Sequence, residues 1–182
     1  MSPNDTTPTY RPSRSCSTKR RICFSCINVA ARSVGIARRA LNESIAYAQT
    51  RQTMGKPICE HQAIQLKLGE MGAKTRAAEL LVSDAARAYD TGARVDMEAG
   101  MAKYFASETA VEVATEAMRI HGGYGYLQDY PIERFWRDLR VHSILEGTNQ
   151  VPLLELTSGD SRRVNKFGEK QKRREMKINF WG

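Results

Sequence analysis

Long apolar runs, histidine pairs and alternating β-branched stretches are all missing from this 182-residue chain. No apolar run approaches the roughly 20 residues that cross a bilayer, so the sequence holds no membrane span. Without period-two alternation there is no half-buried strand to build a sheet from. Cysteine is scarce, at four: Cys16, Cys23, Cys26 and Cys59. Cys23 and Cys26 have CxxC spacing, but no second such pair or nearby histidine pair completes a zinc site. Nor does a strand precede them, as a thioredoxin-like redox pair requires. The reading is of a reduced, intracellular protein without a metal site. Acids are nearly absent from the N-terminus, which is rich in Ser, Thr and Arg in the manner of a transit peptide. Pro3, Pro8 and Pro12 spoil the amphipathic helix that such a peptide forms.

The formal charge of +8 suggests a nucleic-acid ligand until it is divided by region. Residues Met1–Cys26 carry +4 and Ser158–Gly182 carry +5, which leaves −1 for Ile27–Thr157. The basic excess belongs to the two ends, and the centre excludes a specific nucleic-acid face. Segments 1–26 and 158–182 lack a core stripe and read as disordered basic tails around one domain at 27–157. A hydrophobic content of 41% is enough for a core in that domain.

From Asn28 onward helical periodicity takes over. Val34, Ala37, Leu41, Ile45 and Ala48 share one face, and Met54-Gly55-Lys56-Pro57 stops that helix. A second helix is expected from His61 to Tyr89, with Ile64, Leu68, Met71, Ala78, Leu81 and Ala85 inward. A third, Val95 to Ile120, presents Ala102, Phe105, Ala106, Ala110, Val113, Ala117 and Met118. That stripe is rich in alanine, so its neighbours should pack closely. Tyr130-Pro131 opens a shorter helix through Glu133, Arg134, Arg137 and Asp138, and Gly147 begins a last helical turn. The fold class is all-α: an up-down antiparallel helix bundle.

Several residues stand out from this scaffold, each with a plain structural reading beside a functional one. Glu146 in "LEGTNQ" is a lone carboxylate beside Gly147, either a helix N-terminal acid or a reactive base. Gly122 and Gly123 form a helix C-cap or a site of close backbone approach. Arg51 is a helix-end arginine or an anion fork, and Thr148 a cap or a ligand contact.

"YAQTRQTMGKPICEHQAIQ" (Tyr47–Gln65), "RIHGGYGYLQDYPIERFWRD" (Arg119–Asp138) and "LEGTNQV" (Leu145–Val151) together resemble three signatures of the acyl-CoA dehydrogenases, in that family's order and spacing. The resemblance covers about residues 28–156, the family's C-terminal helical domain. It implies an FAD-dependent α,β-dehydrogenation of an acyl-CoA to a trans-2-enoyl-CoA, with Glu146 as catalytic base. It implies FAD contacts from Arg51, Thr53, His61, Gln62, Gly122, Gly123, Thr148, Asn149 and Gln150, and room for the acyl chain at Gly147. Partners implied are the acyl-CoA, an electron-transfer flavoprotein as acceptor and further copies of the chain in a homotetramer. The compartment implied is the cytoplasm of a bacterium or the mitochondrial matrix of a eukaryote. Departures are Cys23 and Cys26 where the family often has CoA-contacting Asp and Arg, Leu145 where many members have tyrosine, and no counterpart of the N-terminal and middle domains. The alternative is a non-catalytic helical oligomerisation module, or a truncated relic of such an enzyme.

Overall fold

The computed structural model describes residues 16–92, 95–145 and 147–149, with side chains from residue 23. Four helices follow one another: α1 (Cys16–Thr50), α2 (Gln62–Asp90), α3 (Asp96–His121) and α4 (Ile132–His142). Between α1 and α2 a minimal antiparallel hairpin pairs β1 (Gln52–Thr53) with β2 (Lys56–Pro57). Met54 and Gly55 turn it with φ of 52° and 80°, and a 3-10 turn, Ile58–Glu60, leads into α2. The helix stop expected at Met54-Gly55-Lys56-Pro57 is thus a built turn rather than plain loop.

Helix direction follows from which residues meet. Cys23 bonds Asp96 and Tyr47 bonds the His121 carbonyl, offsets of 73 and 74 residues, so α1 and α3 run parallel and nearly in register. Lys67 pairs with Glu116 at 2.7 Å and Lys74 with Glu112 at 2.9 Å, which sets α2 antiparallel to α3. Trp136 donates to Thr115 at 3.2 Å and Asn149 to Ser107 at 2.9 Å, so the chain through α4 returns along α3. The result is the all-α bundle expected, with α3 at its centre.

Small residues make this arrangement possible. Ala30, Ala37, Ala40 and Ala48 of α1 and Ala102, Ala106, Ala110, Ala114 and Ala117 of α3 are all buried. With no side chain beyond Cβ, the two axes can approach closely and gain dispersion contacts along their length. Buried hydroxyls extend the same strategy. Ser33, Ser44, Thr75 and Ser107 each donate to the carbonyl four residues back at 2.8–2.9 Å, so burial leaves no donor unsatisfied. α4 adds Ile132 and Leu139 at the closed side, backed by Phe135 and Trp136. Asp96 and Glu98 in the first turn of α3, with Arg119 in its last, complement the helix dipole.

Three expectations need correction. The stretch 16–26, expected to be disordered, belongs to α1, because Cys23 and Cys26 are buried with Val95 and Ala99 at the start of α3. The boundary expected after residue 26 therefore falls inside a helix. Leu81 is 37% exposed and Val82 takes its inward place; Ile45 is equally exposed and Ser44 lies inward instead. Both shifts have one cause: the contacting stripe is narrow and made of small residues, so leucine and isoleucine fall off its edge. The tail 158–182 and the helical turn expected after Gly147, from Gln150 on, lie outside the described residues.

Because Ala114 is fully buried on α3, a larger side chain there has nowhere to go. Ala114→Leu should lower unfolding stability by about 1–3 kcal/mol, the usual range for overpacking. Urea denaturation followed by circular dichroism measures it; a neutral result would mean the helices are not closely packed.

Candidate functional site

Where α1 and α3 both end, their last turns and the hairpin enclose an open cleft of about 450 Å³. Tyr47, Arg51, Thr53, Ile58, His121 and Gly122–Tyr124 are among its walls. The parallel, in-register packing of the two helices is what brings Arg51 beside Gly122, and the hairpin then folds Thr53 against the start of α2. Thr53 Oγ1 lies 3.1 Å from His61 Nε2. The Arg51 guanidinium sits over the Tyr124 ring, 5.5 Å from its centroid. Among the described residues no carboxylate pairs with Arg51, so its donors are open to a ligand anion.

The cleft floor is aromatic. Tyr47 stacks on His121 with centroids 4.2 Å apart, and Tyr130 meets both rings edge-on at 5.7 Å. Burial pushes the Tyr47 phenol above its ordinary pKa, opposed by the Arg51 charge. Burial likewise pushes His121 below 6.5, opposed by the Ala117 carbonyl 2.8 Å from Nδ1. That carbonyl can only accept, so Nδ1 carries the proton of the neutral ring.

The paired glycines have different reasons. Gly122 caps α3 with φ of 60° and ψ of −135°, a conformation that L side chains avoid. Gly123 has no positive φ, and a Cβ on it would meet nothing within 4 Å. Nothing described within this chain demands glycine at 123, which leaves room for an outside group to approach the backbone.

The remaining site residues expected from the sequence lie elsewhere. Gly147, Thr148 and Asn149 follow α4, beside Lys103 and Ser107, roughly 20–27 Å along α3 from the cleft at about 1.5 Å per residue. Gly147 has φ of 97° and Thr148 is exposed. Asn149, expected to face a cofactor, turns inward: its Nδ2 donates to Ser107 at 2.9 Å and Glu108 at 2.5 Å, so that amide is already engaged. Gln62, the first residue of α2, is exposed and does not line the cleft. Glu146 and Gln150 lie outside the described residues. The sequence reading did not include Tyr47 and Tyr124 as cleft walls, Tyr130 packed against them, or Lys103 as a buried contact of the second group. Tyr47 and Tyr124 flank the motif residues at one helical turn or less, which is the signal that could have found them.

Comparison with known proteins identifies the helical domain. The family model for the acyl-CoA dehydrogenase C-terminal domain matches residues 18–158. The chain is 49% identical over 132 residues to the 3-(aryl)acrylate reductase of Clostridium sporogenes, covering 72% of this chain and 35% of that one. It is 46% identical over 125 residues to the caffeyl-CoA reductase-Etf complex subunit CarC of Acetobacterium woodii, covering 69% and 33%. The solved structure of butyryl-CoA dehydrogenase from Megasphaera elsdenii superposes with a TM-score of 0.72 at 41% identity, over 73% of this chain and 35% of that one. The chain spans about a third of the length of the curated relatives it matches.

Two buried histidines held neutral make stability depend on pH. Burial lowers both His121 and His142 below 6.5, with Arg32 adding to the effect at His142. A lowered folded pKa means the unfolded chain binds the proton more readily. Their contribution is therefore complete above about pH 6.5 and declines as pH falls below it toward the folded values. The urea midpoint should drop between pH 7.5 and 5.5, and His121→Phe should make that drop smaller. A drop unchanged by the substitution would contradict the assignment.

Proposed function

The chain belongs to the acyl-CoA dehydrogenase family, as its C-terminal helical domain, and we propose that it supplies one wall of an FAD-dependent site acting on the α,β-bond of an acyl-CoA thioester. The observation that carries this reading is the cleft at the ends of α1 and α3. There a guanidinium with no carboxylate partner among the described residues, the Thr53 hydroxyl and an open glycine stand together. A planar fork plus a hydroxyl donor suits a diphosphate, and the Gly123 backbone admits close approach. Arg51 and Thr53 would hold the FAD diphosphate, with His61 set by its contact to Thr53.

When bound, the flavin supplies hydride acceptance from the β-carbon. The chain's own contribution is the proton: the Glu146 carboxylate takes it from the α-carbon, and Gly147 leaves the acyl chain room against the backbone. The thioester oxygen needs hydrogen-bond donors as negative charge develops on it. The same residues serve the reverse direction, in which Glu146 returns the proton to the α-carbon of a 2-enoyl thioester. Relatives named as reductases support that direction. Electron-transfer flavoprotein as partner rests on the relative named as an Etf-complex subunit. Assembly into a homotetramer rests on the family resemblance. It would put the cleft of one copy and the Glu146 loop of another around each flavin, consistent with the distance between them along α3.

Anaerobic addition of a saturated acyl-CoA to the FAD-loaded chain should slowly bleach the flavin. Glu146→Gln should stop the bleaching and leave FAD bound. Bleaching that survives this substitution would remove Glu146 from its role. Arg51→Ala should raise the dissociation constant for FAD roughly tenfold to a hundredfold in a fluorescence titration, the range for a charge-assisted hydrogen bond.

A further inference from the structure

The second group of residues raises a question that the cleft does not answer. Lys103 is fully buried about two turns into α3, on a face otherwise lined mainly by alanine and serine. A buried ammonium loses its hydration, and an apolar residue of similar volume such as methionine would pack there without that cost. The lysine is therefore explained by what its nitrogen touches, and it donates to the carbonyl of Gly147.

One helical turn further on, Ser107 is equally buried and receives the Asn149 side-chain amide at 2.9 Å. The same amide reaches Glu108 Oε1 at 2.5 Å, and the Asn149 backbone N–H donates to the Ser143 carbonyl at 3.1 Å. Asn149 Oδ1 is buried without a hydrogen-bond partner, so the loop is held inward even with one acceptor orphaned. Two successive inward positions of α3 thus grip the chain just before and just after Thr148. Gly147 makes the grip geometrically possible, because its φ of 97° turns the backbone at that point.

We propose that Lys103, Ser107 and Asn149 form a buried polar clamp, and that they act as positioning residues for the loop that carries the proton-transferring carboxylate. The role in proton transfer rests on the function proposed above; the clamp itself does not. Its logic is that a loop base must be held to a fraction of an ångström, and buried charge-assisted bonds to a central helix supply rigidity that exposed loop contacts do not.

Hydrogen–deuterium exchange on the full chain tests this. In Lys103→Met and in Asn149→Ala, exchange in peptides covering 143–149 should rise at least tenfold, while peptides from α1 and α2 keep their protection. Lys103→Arg, which retains a donor, should recover most of the loop protection. Unchanged loop exchange in a folded Lys103→Met or Asn149→Ala chain, or no recovery with arginine, would overturn the proposal. If Lys103→Met fails to fold, Asn149→Ala decides alone, since it removes only the loop side of the clamp. The readout needs neither flavin nor turnover, so loss of the flavin reading and loss of the clamp are separate results.

Discussion

Close contact between α1 and α3 is the constraint on which the rest of the molecule depends. Alanines and self-bonded serines line both helices, so their axes can lie near each other for more than six turns. Running parallel with a constant offset, they deliver their C-terminal ends to the same place. Arg51, Tyr47, His121 and the glycine pair then surround one cleft without any long-range loop having to be ordered. A bundle of larger side chains would separate the axes and pull Arg51 away from Tyr124.

The same contact sets the distance between the two groups of functional residues. α4 returns antiparallel along α3, so the segment after it arrives beside Lys103 rather than beside the cleft. One chain thus presents an anion-ready cleft at one end and a clamped loop near the other end of its central helix. Exposed apolar side chains such as Leu66 and Leu80 on α2 give the bundle further surface that a longer protein or an assembly would cover. These features suit a domain that completes a site together with other walls, in keeping with relatives about twice the length of this chain, of which the matched region is 35%.

Much of this was legible in the sequence, and the exceptions have physical causes. The helices α2, α3 and α4 announce themselves through apolar periodicity, and the motif residues Arg51, Thr53 and His61 do come together with Gly122 and Gly123. The beginning of α1 was hidden because its inward residues are cysteines, Cys23 and Cys26, in a stretch whose prolines and charges dominate the composition. Buried Ser33 and Ser44 were hidden because a hydroxyl bonded to its own helix counts as polar in a pattern yet packs as a small residue. Lys103 was invisible for a similar reason, since a lysine on a helix ordinarily means solvent. The inward turn of Asn149 depends on a backbone φ at Gly147 that no periodicity encodes.

On the function proposed, this helical domain by itself presents a surface built for a flavin dinucleotide. The most direct measurement is the visible absorbance spectrum of the purified chain after incubation with excess FAD and desalting. A flavin band should travel with the protein. A colourless protein, with all flavin in the small-molecule fraction, would contradict it and would make the cleft a packing feature of the bundle rather than a cofactor wall.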